Sequence, residues 1–537
     1  MEKSTDMTDI ADQIEKGRTF LGIEFGSTRI KAVLIDESCT PLAEGSHTWE
    51  NRYENGIWTY SISDIWQGLS LCYSSLKRNV SEKYGIVLRN VSAAGVSAMM
   101  HGYMAFDKNG SLLVPFRTWR NTITEEASEK LTRTFSFHIP QRWSIAHLYQ
   151  AILNGEEHVA DISYQTTLAG YVHWKLTGEK VLGIGEASGM FPIDTYNMEF
   201  NAEMLDKFDS LANRENIKWK IRDILPKVLM AGDMAGTLTE EGARLLDKDG
   251  DLKPGIPFCP PEGDAGTGMV ATDSIKKRTG NVSAGTSVFA MAVLEKPLMS
   301  FHPEIDMVTT PDGHPVAMVH CNNCTSDLNA WVDMFATMLE SCGMKAEKST
   351  LYSAIFDSAL KAEGKCTDII SYNYFSGEHI TGVMSGRPLL VRKPDAKFDF
   401  NNFSRAILFS ALATLKAGMD ILTKDEKVRI DRLSGHGGWF KSKGSAARIM
   451  AAAMNAPVSV LETAGEGGPW GMAILSSYMI NGKDKMPLDD YLEKSVFSGM
   501  KATAVNPDMK DVRAFEEYKD AFLNAIEVEK IAAEKIV

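Results

Sequence analysis

The chain has 537 residues, 57 Lys and Arg against 70 Asp and Glu, and a net charge of −13. This exceeds the roughly 100–200 residues of one domain and predicts more than one, and 44% apolar with 24% charged residues excludes wholesale disorder. The acidic balance argues against a nucleic-acid-binding surface, which needs a basic stripe, and no run approaches the roughly 18 apolar residues of a membrane span.

Residues 1–17 are polar, read as a short solvated helix or arm, and carry no targeting pattern. Thr19–Gly26 and Ile30–Asp36 read as strands joined by Gly26-Ser27-Thr28, a hairpin. Helical spacing runs from Ile62 to about Tyr84, and Val91–Ser97 reads as a buried strand. Residues 122–176 are mostly helical, with Pro140 as a break. Four prolines between Lys253 and Gly263 exclude helix and sheet interior, and a helix follows from Ala265. Gly280–Val293 repeats the first pattern: strand, Gly285-Thr286-Ser287 turn, strand. Phe403 to about Leu422 is an amphipathic helix. Leu433–Gly438 reads as a glycine-rich turn before the helix Ser445–Asn455, and residues 482–537 are charged and largely helical. The expected bounds are an arm over 1–17, domains over 18–272 and 273–480, and a helical extension over 481–537.

The seven cysteines, Cys39, Cys72, Cys259, Cys321, Cys324, Cys342 and Cys366, are odd in number and sparse, which points to a reduced, cytoplasmic protein. Cys321 and Cys324 form a lone CxxC. A zinc site needs further ligands at comparable spacing, so these two read as ordinary thiols. His138, His147, His158 and His173 have no metal spacing. Trp331, Trp439 and Trp470 read as core residues as readily as base-stacking platforms.

Two glycine–hydroxyl hairpins about 260 residues apart suggest two similar α/β halves facing a cleft, a common place for ligands. Turn N–H groups at Gly26 can cradle phosphate. Ser27 and Thr28 add hydroxyls, Arg29 or Lys31 adds positive charge, and Glu24 offers oxygen to Mg2+. Asp264, in Glu262-Gly263-Asp264, can take a proton from a hydroxyl. It suits a helix N-cap equally well, and local sequence alone favours that reading. Ser434–Trp439 and Ala464–Gly471 are glycine-rich stretches where a flat base can approach backbone.

The ordered set of Gly26-Ser27-Thr28, Met100-His101-Gly102, Trp119-Arg120-Asn121, Leu176–Glu179, Glu186–Gly189, Gly263-Asp264, Gly285-Thr286-Ser287 and Gly435–Gly438 resembles the FGGY family of carbohydrate kinases over residues 19–480. The resemblance implies an α/β, two-domain actin/Hsp70-like (ribonuclease H-like) ATPase fold closing on ATP, Mg2+ and a sugar. It implies Asp264 as catalytic base. Gly26, Ser27, Thr28 and Lys31 become the first phosphate motif, Gly285, Thr286 and Ser287 the second, and Gly435, Gly437 and Gly438 the adenosine motif. Met100, His101, Gly102, Trp119, Arg120, Asn121 and Asp264 would line the sugar, and Glu24 and Asp264 would serve the metal.

Two departures stand out. Glu24 replaces the usual Asp and reaches one methylene further. Trp119-Arg120-Asn121 lacks the usual Asp, and Arg120 only donates hydrogen bonds. The expected reaction is ATP-dependent phosphorylation of the terminal hydroxyl of a ketopentose, L-ribulose narrowly ahead of D-xylulose. Readings of another class are a sugar-independent ATPase and a sugar-sensing pseudokinase. The expected partners are small molecules, with neither nucleic acid nor membrane, and a homodimer is compatible.

Overall fold

Thr19–Asp36 folds as two antiparallel strands, Phe20–Phe25 and Arg29–Ile35. Their interiors are nearly continuous in buried apolar residues, as strands covered on both faces must be. Pro41–Thr48 pairs antiparallel with the second strand. Ala93–Ala98 pairs parallel with the first, and Glu262–Gly263 pairs parallel with Ala93–Ala98. The sheet order is Pro41–Thr48, Arg29–Ile35, Phe20–Phe25, Ala93–Ala98, Glu262–Gly263. Phe25, Ala98 and Gly263 fall in one row, so Gly26, Met99 and Asp264 leave the sheet at the same edge.

Two helices cover this sheet. Ile62–Tyr84 starts where the Ser61 hydroxyl accepts the Asp64 N–H at 3.0 Å and ends at Gly85, with φ 71°. It buries Ile65, Leu69, Cys72, Leu76 and Val80, one stripe at helical spacing. Gly467–Asn481 is buried nearly all round and lies on Phe20–Phe25 so closely that a Cβ at Gly22 would sit 1.9 Å from the Pro469 oxygen. Gly45, against Ile62–Tyr84, shares a row with Ala32 and Ile23. Gly22 is one residue away and points oppositely, so the helices take opposite faces.

The computed structural model describes residues 2–442, 444–461, 467–500 and 502–536. It divides into two compact units. One comprises Met1–Ile275, Met307–Val316 and Glu466–Gly499; the other comprises Lys276–Asp306, Ala317–Gly465 and Met500–Val537. These units are not the linear blocks drawn from the sequence. Helix Gly467–Asn481, which lies in the expected 273–480 domain but for its last residue, packs in the first unit, and the expected 481–537 extension is divided between the two.

The second unit repeats the plan. Thr279–Ala284 and Val288–Val293 form its hairpin. Arg432–His436 runs parallel to Thr279–Ala284, and Val458–Leu461 runs parallel to Arg432–His436. Pro315–Cys321 lies beyond Val288–Val293. Among these five strands the order third, second, first, fourth, fifth recurs, within a sheet of seven to which Ala502–Val505 adds antiparallel to Val458–Leu461. Leu433–His436 is here a correction: the expected turn is the fourth strand. Pairing on both sides outweighs its weak strand propensity, and the Phe440 ring fills the space beside Gly435, 2.3 Å from where a Cβ would be. The one described helix long and apolar enough to cross a membrane, Phe400–Asp425, is a core helix, 78% buried over its apolar window. Met509–Asn524 docks on it through Phe515 and Tyr518, whose rings lie 4.7 and 5.5 Å from Phe409.

Candidate active site

The first turn, Gly26-Ser27-Thr28, is held by its carbonyls. The Trp49 indole N–H donates to the Gly26 oxygen at 2.7 Å, the Tyr60 hydroxyl to the Ser27 oxygen at 2.5 Å, and the Trp49 backbone N–H to the Thr28 oxygen at 3.2 Å. Trp49 and Tyr60 stack with centroids 4.0 Å apart. The N–H groups of Ser27 and Thr28 donate to no protein acceptor among the described residues. A turn with its carbonyls tied inward and its N–H groups left outward is an anion cradle. Gly26 does not have positive φ. Its use is bare surface, since a Cβ there would meet only the Arg29 oxygen, at 3.1 Å.

Asp264 opens the helix Asp264–Ala271, whose N-cap is Gly263. Asp264 is thus the first helical residue, and the N-cap reading is set aside. Its Oδ1 accepts the Met100 N–H at 3.2 Å. The side chain is open to solvent, yet crowding by protein pushes its carboxyl up to about 6 against the pull of the Met100 N–H. Glu24, two residues before the turn, is half-buried. Burial, then the charge of Asp264, pushes it up to about 7, and Lys31 across the hairpin opposes the rise. The longer carboxylate fits because Gly468 is bare: a Cβ there would lie 2.1 Å from Glu24 Oε1.

Met100-His101-Gly102 follows the fourth strand. His101 and Gly102 both take left-handed backbone, with φ 69° and 84°. For His101 this is a strained state of the kind that clusters at functional sites. His101 Nδ1 meets the Gly189 oxygen at 2.9 Å, so it carries the proton, and the ring stacks on Trp143 at 6.1 Å. Trp119 is exposed, and its indole N–H reaches Ser27 Oγ at 3.3 Å. Arg120 stacks its guanidinium 3.9 Å from the Trp58 ring centroid. Asn121 departs from its expected sugar-lining role. It is buried, accepts the Trp58 N–H at 2.8 Å, and donates to the Trp58 and Thr118 oxygens, both at 2.9 Å. Its amide is a fastener with its main bonds made inside the protein.

In the second unit the turn Gly285-Thr286-Ser287 is also held by its carbonyls. The Cys324 and Thr325 N–H groups donate to the Thr286 and Gly285 oxygens at 2.9 and 3.1 Å, and the Thr325 hydroxyl adds a bond to Gly285 at 2.8 Å. The CxxC pair is buried, with burial pushing both thiols up. What the segment supplies to the turn is backbone. Gly437, at φ 96°, passes so close to Ala284 that a Cβ would lie 2.5 Å from its oxygen, while Gly438 faces open space. Trp439 and Trp470 are core side chains donating to Ala446 and Cys39 carbonyls. Ala464, Gly465 and Glu466 of the second glycine-rich stretch lie outside the described residues.

One edge of the first sheet thus gathers Glu24, Gly26, Ser27, Thr28, Met100 and Asp264. One edge of the second gathers Gly285, Thr286, Ser287, Gly437 and Gly438. Sequence reasoning missed Trp49, Tyr60 and Gly468, which support this edge through tertiary contacts that no local pattern announces.

Residues 19–270 match the N-terminal domain, and residues 280–480 the C-terminal domain, of the FGGY family of carbohydrate kinases. A xylulose kinase of Haemophilus influenzae is 22% identical over 418 residues, 75% of this chain and 79% of that relative. The structure of ligand-bound xylulose kinase from Lactobacillus acidophilus is similar with a TM-score of 0.77 at 15% identity, over 97% of this chain and 100% of the other. A gluconate kinase from the same organism has a TM-score of 0.78 at 15% identity, over 97% and 99%. At such identities the structural likeness carries the two-domain actin-like fold alone.

Proposed function

This chain belongs to the FGGY family of carbohydrate kinases, and we propose that it transfers the terminal phosphoryl group of ATP to the terminal hydroxyl of a ketopentose. The observation that carries the proposal is Asp264: a solvent-open carboxylate at a strand end, hung on the Met100 N–H, on the same sheet edge as an anion-receptive turn. Asp264 accepts the hydroxyl proton as the sugar oxygen attacks phosphorus. The N–H groups and hydroxyls of Ser27 and Thr28 hold phosphate oxygens, and Gly285-Thr286-Ser287 is the second unit's own candidate phosphate turn. Phosphoryl transfer rests mainly on such positioning and electrostatics.

Glu24 and Asp264 suit Mg2+, a hard cation commonly held by one or two carboxylates with phosphate and water completing the shell. Each carboxylate's charge opposes the other, and a cation relieves that opposition. When bound, Mg2+ neutralises charge developing on the phosphates. Lys31 contributes a fixed positive charge across the hairpin from Glu24.

Among ketopentoses, the altered Trp119-Arg120-Asn121 segment favours L-ribulose, while the relative named xylulose kinase favours D-xylulose. A coupled ADP-release assay with Mg2+–ATP tests the proposal against L-ribulose, D-ribulose, D-xylulose, L-xylulose, L-fuculose, glycerol and gluconate. Turnover with one ketopentose above all others is expected. Equal turnover without sugar would sink it in favour of an ATPase, and sugar binding without transfer in favour of a sensor.

A further inference from the structure

The helix Ile184–Ser188 carries a carboxyl that the chemistry above leaves unused. Glu186 is 0% exposed, and neither of its oxygens makes a hydrogen bond of ordinary geometry among the described residues, although the Thr167 hydroxyl is near enough to act on it. Buried polar groups are nearly always paired, so an unpaired one calls for an explanation. Its surroundings are specific. A Cβ at Gly263 would lie 2.5 Å from Glu186 Oε2 and 2.2 Å from Met100 Cγ. Gly263 immediately precedes Asp264, and the Met100 N–H holds Asp264 Oδ1. Glu186, Met100 and the proposed base therefore crowd around one bare backbone position.

Other nearby carboxyls are engaged. Glu262 accepts the Gly185 and Glu186 N–H groups at 3.3 and 2.9 Å, and Glu24 faces Lys31 across the hairpin. The Trp119-Arg120-Asn121 segment offers no carboxylate at all.

We infer that Glu186 is a specificity-determining residue that reads the substrate hydroxyl next to the one Asp264 deprotonates. The inference rests on Asp264 being the base. The Met100 side chain, unbranched and adaptable, lies beside Glu186 at the same bare position, and its turning aside is the movement by which a sugar would reach the carboxyl. Burial, with the like charges of Asp264 and Glu262, pushes Glu186 well above the usual carboxylate range, and the Thr167 hydroxyl opposes this. Its carboxyl oxygens can accept a hydrogen bond from a sugar hydroxyl. In a ketopentose phosphorylated on C5, the neighbouring hydroxyl is on C4. L-ribulose and D-xylulose differ in configuration at C4 alone, so this carboxyl decides between them.

The test compares kcat/KM for L-ribulose, D-xylulose and D-ribulose in wild type and Glu186→Gln. D-ribulose differs from D-xylulose only at C3. The expected result is a C4-epimer preference that shrinks about tenfold, while the C3-epimer preference and the KM for ATP stay within about twofold. Equal losses on all three sugars would make Glu186 purely structural and overturn the inference, as would unchanged preferences. If Glu186→Gln does not fold, Glu186→Met, apolar and of similar length, is read the same way. Failure of the base assignment appears separately, as wild-type turnover in Asp264→Asn. A wild type that phosphorylates no ketopentose overturns the ketopentose reading and the C4 assignment together.

Discussion

The two hairpins hold the same place in their sheets, yet they differ in turn length, four residues against three, in charge and in support. The first carries Glu24 and Lys31 as a cross-strand pair and ends beside Asp264. At the matching place the second pairs Ser283 with Phe289, with no titratable side chain. The first turn's carbonyls are held by two aromatic side chains and one backbone N–H, the second's by two backbone N–H groups and a hydroxyl. On the proposed reading, one plan serves two purposes: the charged copy carries the chemistry and the neutral copy binds.

If that division is right, removing the base should separate the copies most clearly. Asp264→Asn keeps shape and loses the proton acceptor. Phosphoryl transfer should fall about 10²–10⁴-fold, with nucleotide affinity by calorimetry nearly unchanged. Wild-type turnover would move the chemistry elsewhere. Gly285→Val should do the reverse. A branched side chain on this turn should weaken ATP binding on the order of tenfold, the worth of lost bonds to a charged ligand. Unchanged ATP affinity would remove the second turn from the nucleotide site.

Charge on the first copy also has a cost in stability. The folded-state pKa values of Asp264 and Glu24, about 6 and about 7, lie above those of free carboxyls. The folded protein then holds extra protons between about pH 4 and pH 7. Stability from these groups is fullest at the acid end of that window and is lost as pH rises through it. Glu24→Gln should therefore raise Tm at pH 8 by roughly 2–4 °C and leave it unchanged at pH 4. The same variant should reduce the acid limb of kcat/KM from two ionisations to one. A Tm gain at both pH values would mean that packing, not charge, is responsible.

Much of this was legible in the chain. Apolar runs broken by glycine turns gave both hairpins, and helical spacing gave the helix from Ile62 to about Tyr84. Leu433–His436 was misread because glycine and serine mark turns locally, whereas here two parallel neighbours impose a strand. Asn121 was misread because a motif identifies a residue type and not where its amide points. The domain bounds differ from the compact units because Gly467–Asn481 returns to pack on Phe20–Phe25, a contact some 450 residues apart in sequence that periodicity cannot encode. Glu186 was visible only as part of a motif. Its burial without a hydrogen bond of ordinary geometry is a property of the folded chain alone.

The difference in support yields the smallest and most selective expectation. Tyr60→Phe deletes the hydroxyl that holds the Ser27 oxygen but keeps the ring stacked on Trp49. The freed carbonyl can then turn outward, where it repels phosphate. One neutral hydrogen bond is worth about 0.5–1.5 kcal/mol, so transfer should fall roughly two- to tenfold. Thr325→Val removes the corresponding hydroxyl under Gly285, but the Thr325 N–H still holds the same oxygen at 3.1 Å. Its effect should stay below about twofold, because a carbonyl that keeps one donor is not left unsatisfied. Steady-state kinetics on the two variants check this directly. Equal losses would mean that side-chain and backbone support are interchangeable here, and that support does not set the two turns apart.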